Sequence, residues 1–194
     1  MVGILSTVYA KPINTRASVS FLHGDLGAST TSIVLLGQCV QELVPPTGAL
    51  AAGCLSHIGS VGATFDDLAA DLTNTTLTVS DATAFIAGLN ETLGHLNVTL
   101  QLIADAFPAF SIADQADDED FDLDDVPESV GDAGESLDGV FDSLADALPN
   151  AALRNQATKL QEATAKDISD SLRVFGGGED LVGGNSTVPV KRAK

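Results

Sequence analysis

Residues 80–108, SDATAFIAGLNETLGHLNVTLQLIADAFP, decide the fold class. Apolar side chains recur at Ala82, Phe85/Ile86, Leu89, Leu93, Leu96, Leu100, Ile103 and Phe107. Steps of three and four place them on one face of an α-helix, with Ser80 read as its N-cap and Pro108 as its stop. The same rhythm extends upstream through Ala51, Cys54, Ile58, Val61, Phe65, Leu68 and Leu72, and before them through Leu26, Ile33, Leu36, Val40 and Leu43; Pro45-Pro46 separates these two runs. Downstream it returns at Val126, Val130, Ala133, Leu137, Val140, Leu144 and Leu148, where Pro127 is tolerated in a first turn and Pro149 ends the run. A fifth segment uses Leu153, Ala157, Leu160, Ile168, Leu172 and Phe175, and Gly176-Gly177-Gly178 stops it. No sustained apolar–polar alternation occurs and the connections are short. The pattern predicts an all-α fold, an antiparallel bundle of four to five helices over residues 20–176, with a leader at 1–19, an acidic loop at 113–126 and a flexible tail at 177–194.

The chain has 194 residues, enough for one such domain with tails. Its formal charge of −18 repels phosphate backbones and anionic membrane surfaces, and one Tyr with no Trp leaves no base-stacking platform, which excludes nucleic acid binding. A mean hydropathy of +0.21 argues against a wholly disordered chain. The nine bases are Lys11, Arg16, Arg154, Lys159, Lys166, Arg173, Lys191, Arg192 and Lys194, so none lies between residues 17 and 153. That span carries 22 of the 27 acids, the other five being Glu162, Asp167, Asp170, Glu179 and Asp180. It has no internal ammonium or guanidinium partners. Apolar packing must stabilise it, and mildly acidic pH should be tolerated or preferred.

Met1–Ala10 holds a short apolar stretch ending Val8-Tyr9-Ala10, which reads either as a clipped export signal or as an ordinary start. Four Asn-x-Ser/Thr sequons begin at Asn74, Asn90, Asn97 and Asn185. Together with a pair of cysteines they point to a secreted glycoprotein. Asn90 and Asn97, seven apart, share one margin of the third helix and flank its apolar stripe, where a glycan would not disturb packing. The longest apolar runs are about four residues against the roughly 18 that a membrane span requires, so no transmembrane segment is expected.

Cys39 and Cys54 are 15 residues apart, on consecutive helices that Pro45-Pro46 folds back on each other. A disulfide and two small apolar residues in the seam both fit; the export signs favour the bridge. In the run Asp117-Asp118-Glu119-Asp120-Phe121-Asp122-Leu123-Asp124-Asp125, carboxylates at Asp118, Asp120, Asp122 and Asp124 are hard oxygen donors. Counted from Asp118, however, the EF-hand Gly and Glu positions hold Leu123 and Ser129, and a solvated linker is the simpler reading. No metal site and no cofactor are assigned. His23, His57 and His95 lack a nucleophile or metal-ligand pattern, and His95 falls opposite the apolar seam, so no catalytic residue is assigned and no enzyme is expected.

Leu77-Thr78-Val79-Ser80-Asp81-Ala82 leading into Phe85, Ile86, Leu89, Leu93, Leu100 and Ala104, and then Phe107-Pro108-Ala109-Phe110, resembles the central signature of the fungal hydrophobic-surface-binding protein A and cell-wall mannoprotein family. The resemblance spans about residues 20–176; the acidic run and the cysteine pair depart from the family pattern. It implies a secreted, non-catalytic cell-wall or extracellular protein that adsorbs to hydrophobic surfaces or holds a fatty acid between its helices. By that analogy the cavity falls among Leu36, Val40, Ile58, Phe65, Ile86, Leu93, Leu100 and Val140. The partners implied are a fatty acid or other apolar ligand or surface, with cell-wall polysaccharide or a secreted esterase as further candidates. The rival expectation is a solid bundle, a structural wall protein or secreted effector, that acts through its acidic surface.

Overall fold

The computed structural model describes residues 15–73, 75–116 and 121–176. Its elements are α1 (Thr15–Gln41), α2 (Gly48–Thr73), α3 (Val79–Asp105), α4 (Phe107–Gln115), α5 (Asp125–Ala147) and α6 (Ala151–Leu172), with a 3-10 turn at Arg173–Phe175 and no strand among the described residues. Helix α1 begins at Thr15, inside the span expected as a leader. The sequons at Asn74 and Asn185, residues 1–14, Asp117–Asp120 and the tail 177–194 lie outside the described residues.

The five long helices run alternately up and down, as short connections between consecutive helices require. They close into a ring in the order α1, α2, α5, α6, α3 and back to α1. Non-consecutive neighbours in that ring run parallel. Thr92 and Thr99 of α3 meet α1 through a 2.9 Å hydrogen bond between the Thr30 and Thr92 hydroxyls and a 3.4 Å bond donated by Thr99 to the Ile33 carbonyl. Along α2 and α5, Gly62 faces Ala133 and, further on, the Thr73 and Ser143 hydroxyls bond at 3.2 Å. Inside the ring the expected stripes form one core: Ile33, Leu36, Ile58, Phe65, Leu68, Leu89, Ile103, Leu137, Val140 and Leu144 are all at most 3 % exposed.

Local chemistry explains where the boundaries depart from expectation. Ser80 does not cap α3. Thr78, extended at φ −73°, ψ 164°, accepts from the Asp81 amide and donates its hydroxyl to the Asp81 carboxylate at 2.6 Å, a reciprocal cap that leaves Ser80 inside the first turn. Nor does Pro108 end α3. The chain turns at Ala106, and Pro108 is the second residue of α4, where its missing N–H has no partner to lose. Helix α4 was not expected. Its Phe110 is fully buried and stacks on Phe121 at 5.8 Å, while Phe107 meets Phe175 edge-on at 5.1 Å, so four aromatics close one end of the ring.

The described residues of the expected loop at 113–126 are consequently more structured than a solvated loop. Ala113 and Asp114 belong to α4, Phe121 is buried, and α5 starts at Asp125. Two of its carboxylates act as backbone acceptors: Asp114 receives the Leu123 amide at 3.1 Å and Asp122 the Asp124 amide at 2.9 Å. Asp125 and Glu128 sit in the first turn of α5, where carboxylates favour the positive end of the helix dipole. At the opposite end of the ring the Leu77 amide donates to the Ala147 carbonyl, and Asn150 caps α6 by accepting from the Leu153 amide at 3.0 Å. The chain leaves the bundle at Gly176, whose φ of +78° suits a residue without Cβ.

Helix α2 corrects one expectation. Its best 18-residue window has a mean hydropathy of 1.2, so by length and composition it could cross a membrane, and α3 with α4 would pass together but for a 49° bend. Counting uninterrupted runs missed this because Gly, Ser and Thr dilute the apolar residues without adding charge. In the structure the apolar face of α2 packs on α1 and α5, as a core helix does.

Cys39 and Cys54 are joined, with Cα atoms 5.6 Å apart. Closing a loop of this length is worth about 3 kcal/mol, so the Cys39→Ser/Cys54→Ser variant should lose about that much in urea unfolding, and reductant should destabilise the unmodified protein equally.

Half-buried Asp25 on α1 faces Asp71 and Asp67 of α2. Desolvation first, then the Asp71 carboxyl and the charge of Asp67, hold its pKa above the ordinary 3.8. A carboxyl that binds its proton more tightly when folded stabilises the fold fully below the ordinary range, and this is lost as pH rises through the raised value. The melting temperature should therefore climb as pH falls from 7 toward that range. Asp25→Asn should raise it at pH 7 and flatten the dependence, both measurable by thermal circular dichroism.

Candidate functional site

The ring axis is the place to look for a ligand, because all five long helices turn aliphatic side chains toward it. A small cavity of about 20 Å³ lies there, lined by Leu36 of α1, Val61 and Phe65 of α2, Leu96, Leu100 and Ile103 of α3, Val130, Ala133 and Gly134 of α5, and Ile168 of α6. It is about the size of one water molecule, whereas pockets for small ligands run to several hundred Å³.

Beside this cavity a groove of about 60 Å³ opens to the surface between α5 and α6. Gly131, Gly134, Leu137 and Phe141 form one wall and Thr164, Ala165 and Ile168 the other, with Glu135, Asp138 and Gln161 also lining it. Gly134 and Ile168 belong to both the groove and the axial cavity. A Cβ on Gly134 would sit 3.5 Å from Ile168 Cδ1, so this pair forms part of the partition between the two spaces.

Helix α6 is the least firmly seated wall. Its buried side chains include Thr164, Ser169 and Ser171, and the Ser169 hydroxyl is buried without a partner. The buried side chains of α2 include Ile58, Val61, Phe65, Leu68 and Leu72. Less apolar area is removed from water along α6, so separating it from α5 costs less than separating α2 from either neighbour.

Of the eight residues the resemblance assigned to a cavity, Leu36, Phe65 and Leu100 line the axial one. Val40, Ile58, Ile86, Leu93 and Val140 are buried in the surrounding core and do not line it. The groove residues Gly134, Glu135, Asp138, Gln161, Thr164 and Ile168 were not singled out. Two signals were present: glycines three apart at 131 and 134 on a helical face, and Ile168 as the one large aliphatic between Leu160 and Leu172. His23 and His95 are exposed and His57 is half-buried. Asn90 is exposed on α3, and Asn97 is half-buried, accepting from Gln101 Nε2 at 3.2 Å. The threonines of those two sequons, Thr92 and Thr99, are 2 % and 4 % exposed in the α1–α3 seam.

No protein-family model matches the chain, and no curated protein matches it in sequence. Solved structures do match in fold. AfMP4p, in a crystal structure with palmitic acid, superposes with a TM-score of 0.71 at 19% identity, covering 81% of this chain and 99% of that one. Ligand-binding domain 2 of the Penicillium marneffei MP1 protein, complexed with multiple arachidonic acids, gives 0.71 at 14% identity over 86% of this chain and 99% of that domain. Domain 1 of the same protein, with arachidonic acids, gives 0.68 at 11% over 81% and 98%. At these identities the property shared is the all-helical fold.

Substitutions at the partition test its geometry. Gly134→Ala places a methyl in ordinary contact with Ile168 and removes a helix-interior glycine, so it should stabilise the protein by about 0.5–1 kcal/mol. Ile168→Ala removes the partition and should cost about 2–5 kcal/mol. Urea unfolding measures both.

Proposed function

We propose that this chain is a secreted, non-catalytic protein that takes a fatty-acid-like lipid into the axis of its helical ring. The observation that carries the reading is the apolar axial cavity on which five helices converge, which shares Gly134 and Ile168 with the groove between α5 and α6. Aliphatic walls with glycines in α5 can part without leaving polar groups unpaired, and the ring must widen to several hundred Å³ to hold an acyl chain. The fold similarity to proteins solved with palmitic and arachidonic acids supports the same reading. The sequence resemblance adds adsorption to hydrophobic surfaces, placement at a fungal cell wall, glycans at the sequons, and wall polysaccharide or a secreted esterase as companions. The Cys39–Cys54 bond fits an oxidising, extracellular compartment.

The small size of the axial cavity favours a second reading, a solid bundle that acts through its acidic surface. Titration with the fluorescent fatty acid cis-parinaric acid separates the two. Saturable uptake with rising emission, weakened by Gly134→Leu, is expected for the lipid carrier. A flat titration at micromolar protein leaves the solid bundle.

A further inference from the structure

Helix α1 carries a second face, turned away from the core. We infer that this face joins two copies of the chain, with their α1 helices antiparallel about Ala28. The contact is independent of any ligand inside the ring.

Phe21, Gly24, Ala28, Thr31, Leu35 and Gln38 are all exposed and follow one another in steps of three and four, so they form one stripe along the outside of α1. Phe21 is 66% exposed and Leu35 45%, with Val34 beside it at 40%. Nothing lies within 4 Å of a Cβ built on Gly24 or Gly27, so the chain's own packing does not call for glycine at either place. Glycine weakens a helix interior; what it provides here is a backbone that another helix can approach closely.

Charge selects the occupant and its direction. Leu26–Gln41 of α1, Gly48–Phe65 of α2 and Thr92–Ala104 of α3 contain no Asp, Glu, Lys or Arg, in a chain of formal charge −18. The Ser29 hydroxyl reaches toward the Thr64 carbonyl, the Thr30 and Thr92 hydroxyls bond, and Thr99 donates to the Ile33 carbonyl. In that register the uncharged stretches of α2 and α3 flank the stripe from Ala28 onward to its Gln38 end. The acids of the flanking helices, Asp66, Asp67, Asp71, Asp81 and Glu91, lie with Asp25 on the Phe21 side. A charged partner finds no opposite charge on this face, and an anionic one is repelled by the whole chain. Two copies aligned in the same direction would set acidic end against acidic end. Turned end for end, each lays its acidic end beside the other's uncharged one.

The apolar side chains fit the same pairing. Phe21 and Leu35 each lie seven residues from Ala28, about 10 Å along the helix, so Phe21 of each copy meets Leu35 of the partner subunit, and Ala28 meets its own mate. From Phe21 to Gln38 the stripe is about 26 Å long and, with the rims of α2 and α3, about 20 Å wide. Two such faces remove about 1,000 Å² from water, the lower bound for a specific interface, so the dimer is weak and reversible.

The test is sedimentation velocity on the full chain from about 2 to about 200 µM, at low salt and at about 0.5 M salt. The mass should rise reversibly from monomer to dimer with concentration, and more readily at high salt, where repulsion between two bodies of charge −18 is screened. Leu35→Glu should weaken association at least about ten-fold. Val174→Glu adds the same charge at an equally exposed site off the stripe and should not, with thermal circular dichroism confirming that both variants fold. Under mild oxidation Ala28→Cys should link copies by a disulfide, whereas Gln38→Cys, about 30 Å from its mate in the antiparallel pair, should not. Monomer mass at every concentration in both salts overturns the pairing, and leaves the face to residues 1–14 of the chain itself or to an apolar surface. Equal effects of the two glutamate variants overturn the choice of face, and linkage at Gln38→Cys as ready as at Ala28→Cys overturns the direction.

Discussion

Apolar contact between helices is the interaction on which everything else in this molecule depends. The two ion pairs among the described residues, Lys166–Asp170 and Arg173–Asp170, lie within α6 and its following turn, so no helix is tied to another by opposite charge. Most of the other acids among the described residues are exposed on the outside of the ring and repel one another. Such a bundle is held by area removed from water, roughly 25 cal/mol per Å², and any element that buries less of it is correspondingly looser. Helix α2, with five large aliphatic or aromatic side chains fully inside, is the fixed spine; α6, with three buried hydroxyl residues, is the removable stave.

That unevenness connects the fold to its proposed role. A lipid carrier needs a wall that opens at low cost and recloses on an apolar interior. The threonine contacts of α1 with α3 and the close approach of Gly62 to Ala133 between α2 and α5 hold two sides together, and the aromatic cluster of Phe107, Phe110, Phe121 and Phe175 holds one end. On the α5–α6 side Gly134 leaves room that Ile168 occupies from the opposite helix, and both residues line the axial cavity and the groove.

The ring was largely legible in the sequence because helical periodicity is a local signal: most residues of the five stripes are buried where the spacing put them, with Phe107, Ala133, Leu160 and Phe175 half-buried. Boundaries were less legible, since Thr78 and Ser80 are both good caps and only tertiary context selects between them. Helix α4 went unseen because nine residues hold too few periods to register, and Pro108 reads as a breaker until the turn before it is known. The groove was least legible of all. A partition made by a glycine on one helix and an isoleucine 34 positions later on another is a property of ring order, and ring order depends on which non-consecutive helices become neighbours. Periodicity carries no information about that choice.

The threonines of the α1–α3 seam impose an order of events. Attachment of an N-glycan at Asn90 or Asn97 requires the hydroxyl residue two places on, and in the finished fold those residues, Thr92 and Thr99, are locked against α1. A transferase could read either acceptor only in a nascent chain whose third helix has not yet docked. Were either asparagine glycosylated, sugar attachment and helix docking would compete in time, and slow closure of the α1–α3 seam would raise occupancy.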